Sequence, residues 1–310
     1  MLQGLRARSR RTNGDGLRFR NRTVNYDLVD KYAQLLKQKN VQGVLVNSAS
    51  GEGTTLRVEE RKRMAEEWLK AARKYQLNIM VHIGSTNIAE VYEMAEHSEK
   101  IGVDAILVLP ELLFRPRTEE DLVEYLRDIS KYAPTRPLFY YHIPELTQVR
   151  CKYSLEVWLD EPVTNLPRSF SVLVSMVRLW DLVERDVQTF AGILYAHHDL
   201  DEATALWKRN RYVILWADNI LNAALSLGFE AFTSTVMNVL PERFIEVIEN
   251  HRSNKLPEAM MAQEKFSKQI YDIYRRGSDW IQVWKQEFNK VHFKLGALRK
   301  PQFNVINREY

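Results

Sequence analysis

Two short runs of this 310-residue chain carry side chains suited to chemistry. The first is Asn47-Ser48-Ala49-Ser50-Gly51-Glu52-Gly53. Its small residues let backbone N–H groups approach an anion, and the Ser50 hydroxyl adds a donor, a combination suited to a carboxylate. Taken alone, the run reads equally well as a plain glycine turn. The second is Phe139-Tyr140-Tyr141-His142-Ile143-Pro144. Side chains alternate along a strand, so Tyr140 and Tyr141 point to opposite faces, and an inward phenol at a strand tip can relay a proton when a neighbour polarises it. A core tyrosine with a satisfied hydroxyl is the competing reading. His82, His142, His197, His198 and Asp199 are the residue types a metal would need. Adjacent His197 and His198 cannot both turn inward from a regular strand, so no metal is expected.

These runs must sit on something regular. From Thr23 onward, short β-rich runs alternate with longer helical patterns, the mark of βαβ units and a parallel sheet. Strands are predicted at residues 43–47, 77–83, 105–109, 137–142, 190–195, 212–216 and 231–236, and helices at 27–38, 58–75, 88–100, 118–132, 199–208, 219–227 and 240–250. Seven strands is one short of a closed eightfold barrel. The missing one should precede Asp27, yet residues 6–22 carry charge where an inner strand needs apolar residues. Beyond His251 the pattern is helical without strands, at 256–274 and from 277 to about 293. There Trp280, Trp284 and Phe288 recur at spacing four, a core-facing stripe. The expected organisation is an Arg-rich atypical terminus (1–23), a parallel barrel (24–250) and C-terminal helices (251–310). Chemistry in such barrels sits at the C-terminal strand ends, where both runs fall.

The chain is 45% hydrophobic and 27% charged, an ordinary globular composition. Its single cysteine, Cys151, excludes an internal disulfide and favours a reducing compartment. No apolar run approaches a membrane span, and the first residues lack the apolar core of a secretory signal. The net charge of +4 is unevenly placed. Seven arginines between Arg6 and Arg22 stand against one acid, Asp15. A basic arm of this kind can touch phosphate backbones or act as a mitochondrial transit peptide, but no interleaved aromatics or nucleic-acid motif accompany it. A disordered terminus is the plainer reading, and neither a nucleic-acid nor a membrane partner is expected.

The residues around both runs add a resemblance. Val44-Leu45-Val46-Asn47 through Gly51-Glu52-Gly53, then Glu60-Arg61, Ala65-Glu66-Glu67-Trp68, Tyr140-Tyr141-His142-Ile143-Pro144 and Leu146-Thr147, resembles the animal N-acetylneuraminate lyases, of the dihydrodipicolinate synthase family of class I aldolases. It is dense over residues 24–150 and looser over 174–250. The resemblance implies a TIM (β/α)8 barrel with a C-terminal helical extension and an atypical or missing first strand. It also implies aldol cleavage of N-acetylneuraminate to pyruvate and N-acetylmannosamine through a lysine Schiff base. No cofactor is implied, the partner is a small sialic acid or pyruvate-like keto acid, and the expected state is a cytoplasmic homo-oligomer.

Residue by residue the carry-over is mixed. Tyr141 matches the proton-relay tyrosine. Ser50, beside Gly51, matches the second of two carboxylate-binding hydroxyls, while Ala49 replaces the first. Gly192-Ile193-Leu194-Tyr195-Ala196 matches the lysine motif with Leu194 at the nucleophile position and Ala196 at a hydroxyl position. The substrate motif Gly-x-Asp-Glu appears as Trp216-Ala217-Asp218-Asn219, so Asp218 survives, and Thr235 stands where a substrate serine is expected. Trp216 in place of glycine should fill space that a sugar occupies. The expectation is an impaired lyase, or a catalytically silent carboxylate- or sugar-binding relative or oligomer partner. Residues 151–173, with Pro162 and Pro167, interrupt the alternation where connections usually run about 2–6 residues. Their removal restores the spacing the resemblance implies, so they read as an insertion, either a lid loop or a retained non-coding stretch.

Overall fold

Helices begin and end where the sequence supplies caps. Thr118 accepts from the Asp121 N–H at 3.1 Å while the Asp121 carboxylate accepts from the Thr118 N–H, which satisfies two otherwise orphaned donors. Asn87 and Ser175 accept from the N–H of Ala89 and Arg178 in the same role. Gly102 ends its helix at φ 76°, in the left-handed region.

The computed structural model describes residues 23–151, 172–207, 211–277, 279–296 and 298–299. The arginine-rich run before Thr23 and most of the insertion lie outside these residues. Among those described, Val24 makes a single β-bridge and no strand precedes it. The strands in chain order are β1 (Gly43–Val46), β2 (Asn78–His82), β3 (Ala105–Val108), β4 (Leu138–His142), β5 (Val149–Cys151), β6 (Val172–Val174), β7 (Phe190–Tyr195), β8 (Tyr212–Trp216) and β9 (Ala231–Thr233). All seven expected strands are present. The last stops at Thr233 because residues Val236–Asn238 turn into a 3-10 helix.

The described residues cluster into two compact units, one within 1–79 and 235–310 and the other within 80–234. In the second, β2, β3, β4, β7, β8 and β9 pair in parallel in that order. Met80 lies beside Ala105, Ile106 beside Leu138, Tyr141 beside Leu194, Leu194 beside Ile214 and Ile214 beside Ala231. Helices α3 (Ile88–Ile101), α4 (Glu119–Tyr132), α6 (Met176–Asp186) and α7 (Leu200–Trp207) connect the strands, with a single turn α5 (Pro144–Thr147) after β4 and α8 (Leu221–Ser226) after β8. Leu126 of α4 and Leu179, Trp180 and Val183 of α6 line a small cavity with Tyr140, Phe190 and Ile193, and the Trp180 ring meets Phe190 edge to face at 5.5 Å. That contact fixes which face of β4 and β7 turns to the helices.

Gly192 lets β7 and β8 approach. A Cβ there would lie 2.0 Å from the Tyr212 carbonyl oxygen, a backbone atom that cannot step aside. Gly192→Ala is therefore expected to cost about 3 kcal/mol, at the upper end for overpacking, and urea unfolding of the variant measures it.

Two short strands stand at the edges of the expected insertion. Residues 149–151 and 172–174 are strands, β5 and β6, paired in parallel with Arg150 beside Leu173, and Val149 and Val174 are fully buried. Three-residue strands carry too little alternation to be read from sequence.

The first unit holds β1, α1 (Leu28–Gln38), α2 (Val58–Tyr75), α9 (Pro241–Arg252), α10 (Leu256–Tyr274) and α11 (Trp280–Val291). β1 adjoins the first residues of β2, where the Asn78 N–H donates to the Gln42 carbonyl at 2.9 Å. The core centres on Tyr32, whose ring meets Trp68 at 5.5 Å and Phe288 at 4.7 Å, and whose hydroxyl donates to Asn238 Oδ1 at 2.6 Å. Of the predicted stripe, Trp284 and Phe288 are fully buried. Asn238 and Phe288 thus share a core with α1 and α2.

Candidate active site

Register and alternation decide which side chains share a face of the second unit's sheet. His82, Tyr141, Leu194, Ile214 and Trp216 fall on one face, and Tyr140, His142, Ile193 and Tyr195 on the helix-covered face. Tyr141 is therefore the inward tyrosine of the pair. Its ring meets His82 edge to face at 6.1 Å, and it is 8% exposed. Leu194, 2% exposed, is its directly paired neighbour on β7. No strand among the described residues carries a lysine.

At the end of β8, the Trp216 indole N–H donates to Asp218 Oδ2 at 2.8 Å. Asp218 is buried, and burial pushes its carboxyl up to about 6 against the opposing pull of hydrogen bonds from Ser234 and Trp216. Ser234 and Trp216 are thus both hydrogen-bonded to the carboxyl at this strand end. Ser234 was not singled out by sequence. Thr235, which was, enters through its carbonyl, accepting from the Asn238 N–H at 3.1 Å and its amide side chain at 2.7 Å. The signal that separates the two is one residue of register at a strand end, which periodicity does not resolve.

On the helix-covered face, His142 is fully buried and stacks on Tyr195 at 5.2 Å. Tyr195 donates to Glu202 Oε2 at 2.6 Å. Desolvation, with His197 adding to it, pushes the His142 imidazole down to about 3. It is neutral at neutral pH, and its 4.0 Å approach to Glu202 is no ion pair. His197 pairs instead with Glu145 at 2.7 Å, which raises the imidazole and lowers the carboxyl. Among the described residues no group of three His, Cys, Asp or Glu side chains could hold a metal ion.

In the first unit, Ser50 and Gly51 are buried in a 3-10 turn, Ala49–Gly51, that follows β1. The Gly51 and Gly53 N–H groups both return to the Ser48 carbonyl, at 2.9 and 3.2 Å. Gly53 is required by close approach, since a Cβ would lie 1.8 Å from the Asn47 carbonyl oxygen. Asn47, at φ 61°, is held by its amide donating to the Arg61 carbonyl at 3.0 Å. Glu52, buried and also left-handed at φ 56°, was not read as functional.

A parallel sheet in chain order, with a helix after most strands and its polar side chains at the carboxyl strand ends, belongs to the TIM-barrel class. A profile of the dihydrodipicolinate synthetase family matches residues 19–157. N-acetylneuraminate lyase A of Xenopus laevis is 35% identical over 94% of this chain and 88% of its own. The mouse N-acetylneuraminate lyase is 26% identical over 83% and 75%. Proteus mirabilis N-acetylneuraminate lyase superimposes with a TM-score of 0.79 at 23% identity, over 93% of this chain and 89% of that one. The chain belongs to the dihydrodipicolinate synthetase family, as a homologue of its N-acetylneuraminate lyases. Its fold is the TIM barrel of those enzymes with C-terminal helices, and seven barrel strands lie among the described residues. No helix among those residues is long and apolar enough to cross a membrane.

Proposed function

We propose that this chain is an N-acetylneuraminate lyase homologue that has lost imine chemistry and retains a site for a small keto acid. The observation that carries the reading is Leu194, paired with Tyr141 on one sheet face, where the resemblance puts a Schiff-base lysine. A hydrocarbon cannot attack a ketone, and the family's reaction has no other route to an electron-accepting imine. Tyr141 then has a phenol to offer but no covalent intermediate to serve. By the resemblance, Ser50 and Gly51 stand at carboxylate-binding positions, and Asp218 and Thr235 at sugar-binding positions. There the Trp216 indole, bonded to Asp218, favours a short ligand over a nine-carbon sugar acid. A homo-oligomer in the cytoplasm is the setting this reading carries with it.

The test uses pyruvate and borohydride. The purified chain is expected to give no reduced adduct by intact mass and no release of pyruvate from N-acetylneuraminate, while pyruvate still binds reversibly. A stable single adduct, or turnover of the sialic acid, ends the reading. Peptide mapping would then show whether Lys285, the buried lysine on α11, is the residue modified.

A further inference from the structure

We infer that Lys285, Arg299 and Glu60 act through Glu52 to hold the turn at Ser50 and Gly51 in its anion-binding shape, so that the C-terminal segment is part of the ligand site. This deepens the carboxylate-binding reading and rests on it. The argument starts from Glu52, a non-glycine residue in the left-handed region at φ 56° and ψ 27°. That conformation is uncommon for such a residue and needs outside support. Glu52 ends the Ala49–Gly51 turn and opens the next, Gly53–Thr55, so its backbone fixes how the turn that carries Ser50 passes into the next.

Both carboxylate oxygens of Glu52 are taken by residues far along the chain. Oε1 accepts from the Lys285 ammonium, and Oε2 accepts from the Arg299 N–H at 2.8 Å. The two charged side chains are 2% and 0% exposed for Lys285 and Glu52. The Arg299 guanidinium then spans Glu60 at 2.5 and 3.1 Å, and Glu60 Oε2 accepts from the Arg57 N–H at 2.9 Å, at the start of α2. One strap therefore grips the turn and the helix that follows it. The turn has no slack to absorb a change at Glu52, because Gly53 already lies against the Asn47 carbonyl.

Charge gives a second reason. A bare carboxylate at position 52 would repel an anion held at the Ser50 hydroxyl. The Lys285 ammonium cancels it within a buried contact, where screening is weak. The clamp thus holds the turn that carries Ser50 and neutralises the acid two residues on. Glu52 and Lys285 are positioning residues, since neither is required to touch the ligand.

Lys285→Met alone strands a buried carboxylate, so the deciding variant is the pair Glu52→Gln and Lys285→Met, which removes both charges at similar volume. Amide hydrogen exchange on the full, unliganded chain is the first readout. Exchange at Gly51, Glu52 and Gly53 is expected to quicken about ten-fold or more, with β3 and α3 unchanged. Unchanged exchange at residues 51–53, or a uniform acceleration across the chain, overturns the clamp. Pyruvate affinity is the second readout, expected to weaken about ten-fold in the pair and to stay near the parent's in Lys285→Arg, which keeps the charge. Equal affinity in the pair overturns the positioning role. A parent chain that binds no pyruvate at all sinks the carboxylate reading, and the exchange measurement still decides the clamp.

Discussion

Leu194→Lys is expected to turn a chain that gives no reduced pyruvate adduct into one that gives a single adduct at position 194. The side chain is 2% exposed and directly paired with Tyr141, so an amine placed there loses most of its hydration. Desolvation penalises the ammonium and leaves a larger share of neutral amine near pH 7. That amine adds to the keto carbon of pyruvate, and loss of water gives an imine that borohydride reduces by hydride addition. Losing a covalent nucleophile alone can cost on the order of 10⁶ in kcat, so restoring one is the largest single gain open to this site. Turnover of N-acetylneuraminate is expected to stay low, because Trp216 and Ala49 still differ from the family pattern. Adduct formation and turnover should therefore separate. A folded Leu194→Lys protein that forms no adduct at that residue would show that the face around Tyr141 is not built for a keto acid. Folding itself is checked by urea unfolding, since a buried amine costs stability of about 1–3 kcal/mol.

Stability should respond to acid through His142, with a sign set by burial. An imidazole ordinarily titrates near 6.5, and here it is pushed down to about 3. Between those values the unfolded chain binds a proton that the folded chain refuses, so stability falls as pH falls, by about 1.4 kcal/mol per unit. Above pH 6.5 both states are neutral and the effect vanishes. Asp218 works the other way. Its carboxyl is raised to about 6, so the folded state holds a proton that the unfolded state has released, and this contribution is lost as pH rises from about 4 through 6. The two oppose each other between pH 4 and 6, and the parent chain's profile alone would look flat there. The difference between parent and His142→Gln isolates the histidine. On going from pH 7 to pH 5, the variant should gain about 2 kcal/mol relative to the parent in urea unfolding. An equal difference at both pH values would mean that His142 is not held neutral by its surroundings.

Much of the scaffold is legible along the chain because its signals are local. A run such as Ala105–Val108, buried at every position, reads as a sheet interior, and the patterns at 88–100 and 118–132 read as helices. Leu194 is legible too, since a missing amine needs only the motif around it. Ser234, Glu52 and Lys285 were not. A serine beside a threonine at a strand end differs by one residue of register. A lysine 233 residues from its carboxylate leaves no local trace, because nothing near either residue reports that both lose their water together.

The amino-acid order by itself determined the alternating β/α pattern, the family resemblance and the hydrocarbon at the position of the expected amine. These follow from side-chain periodicity and short motifs, which act within a few residues. Only the tertiary structure decided that Tyr141 and not Tyr140 shares a face with Leu194, that Trp216 takes the Asp218 carboxyl, and that the C-terminal segment grips the turn at Ser50. Pairing register, burial and the neutralisation of buried charge depend on which distant segments meet, and that is settled when the chain packs.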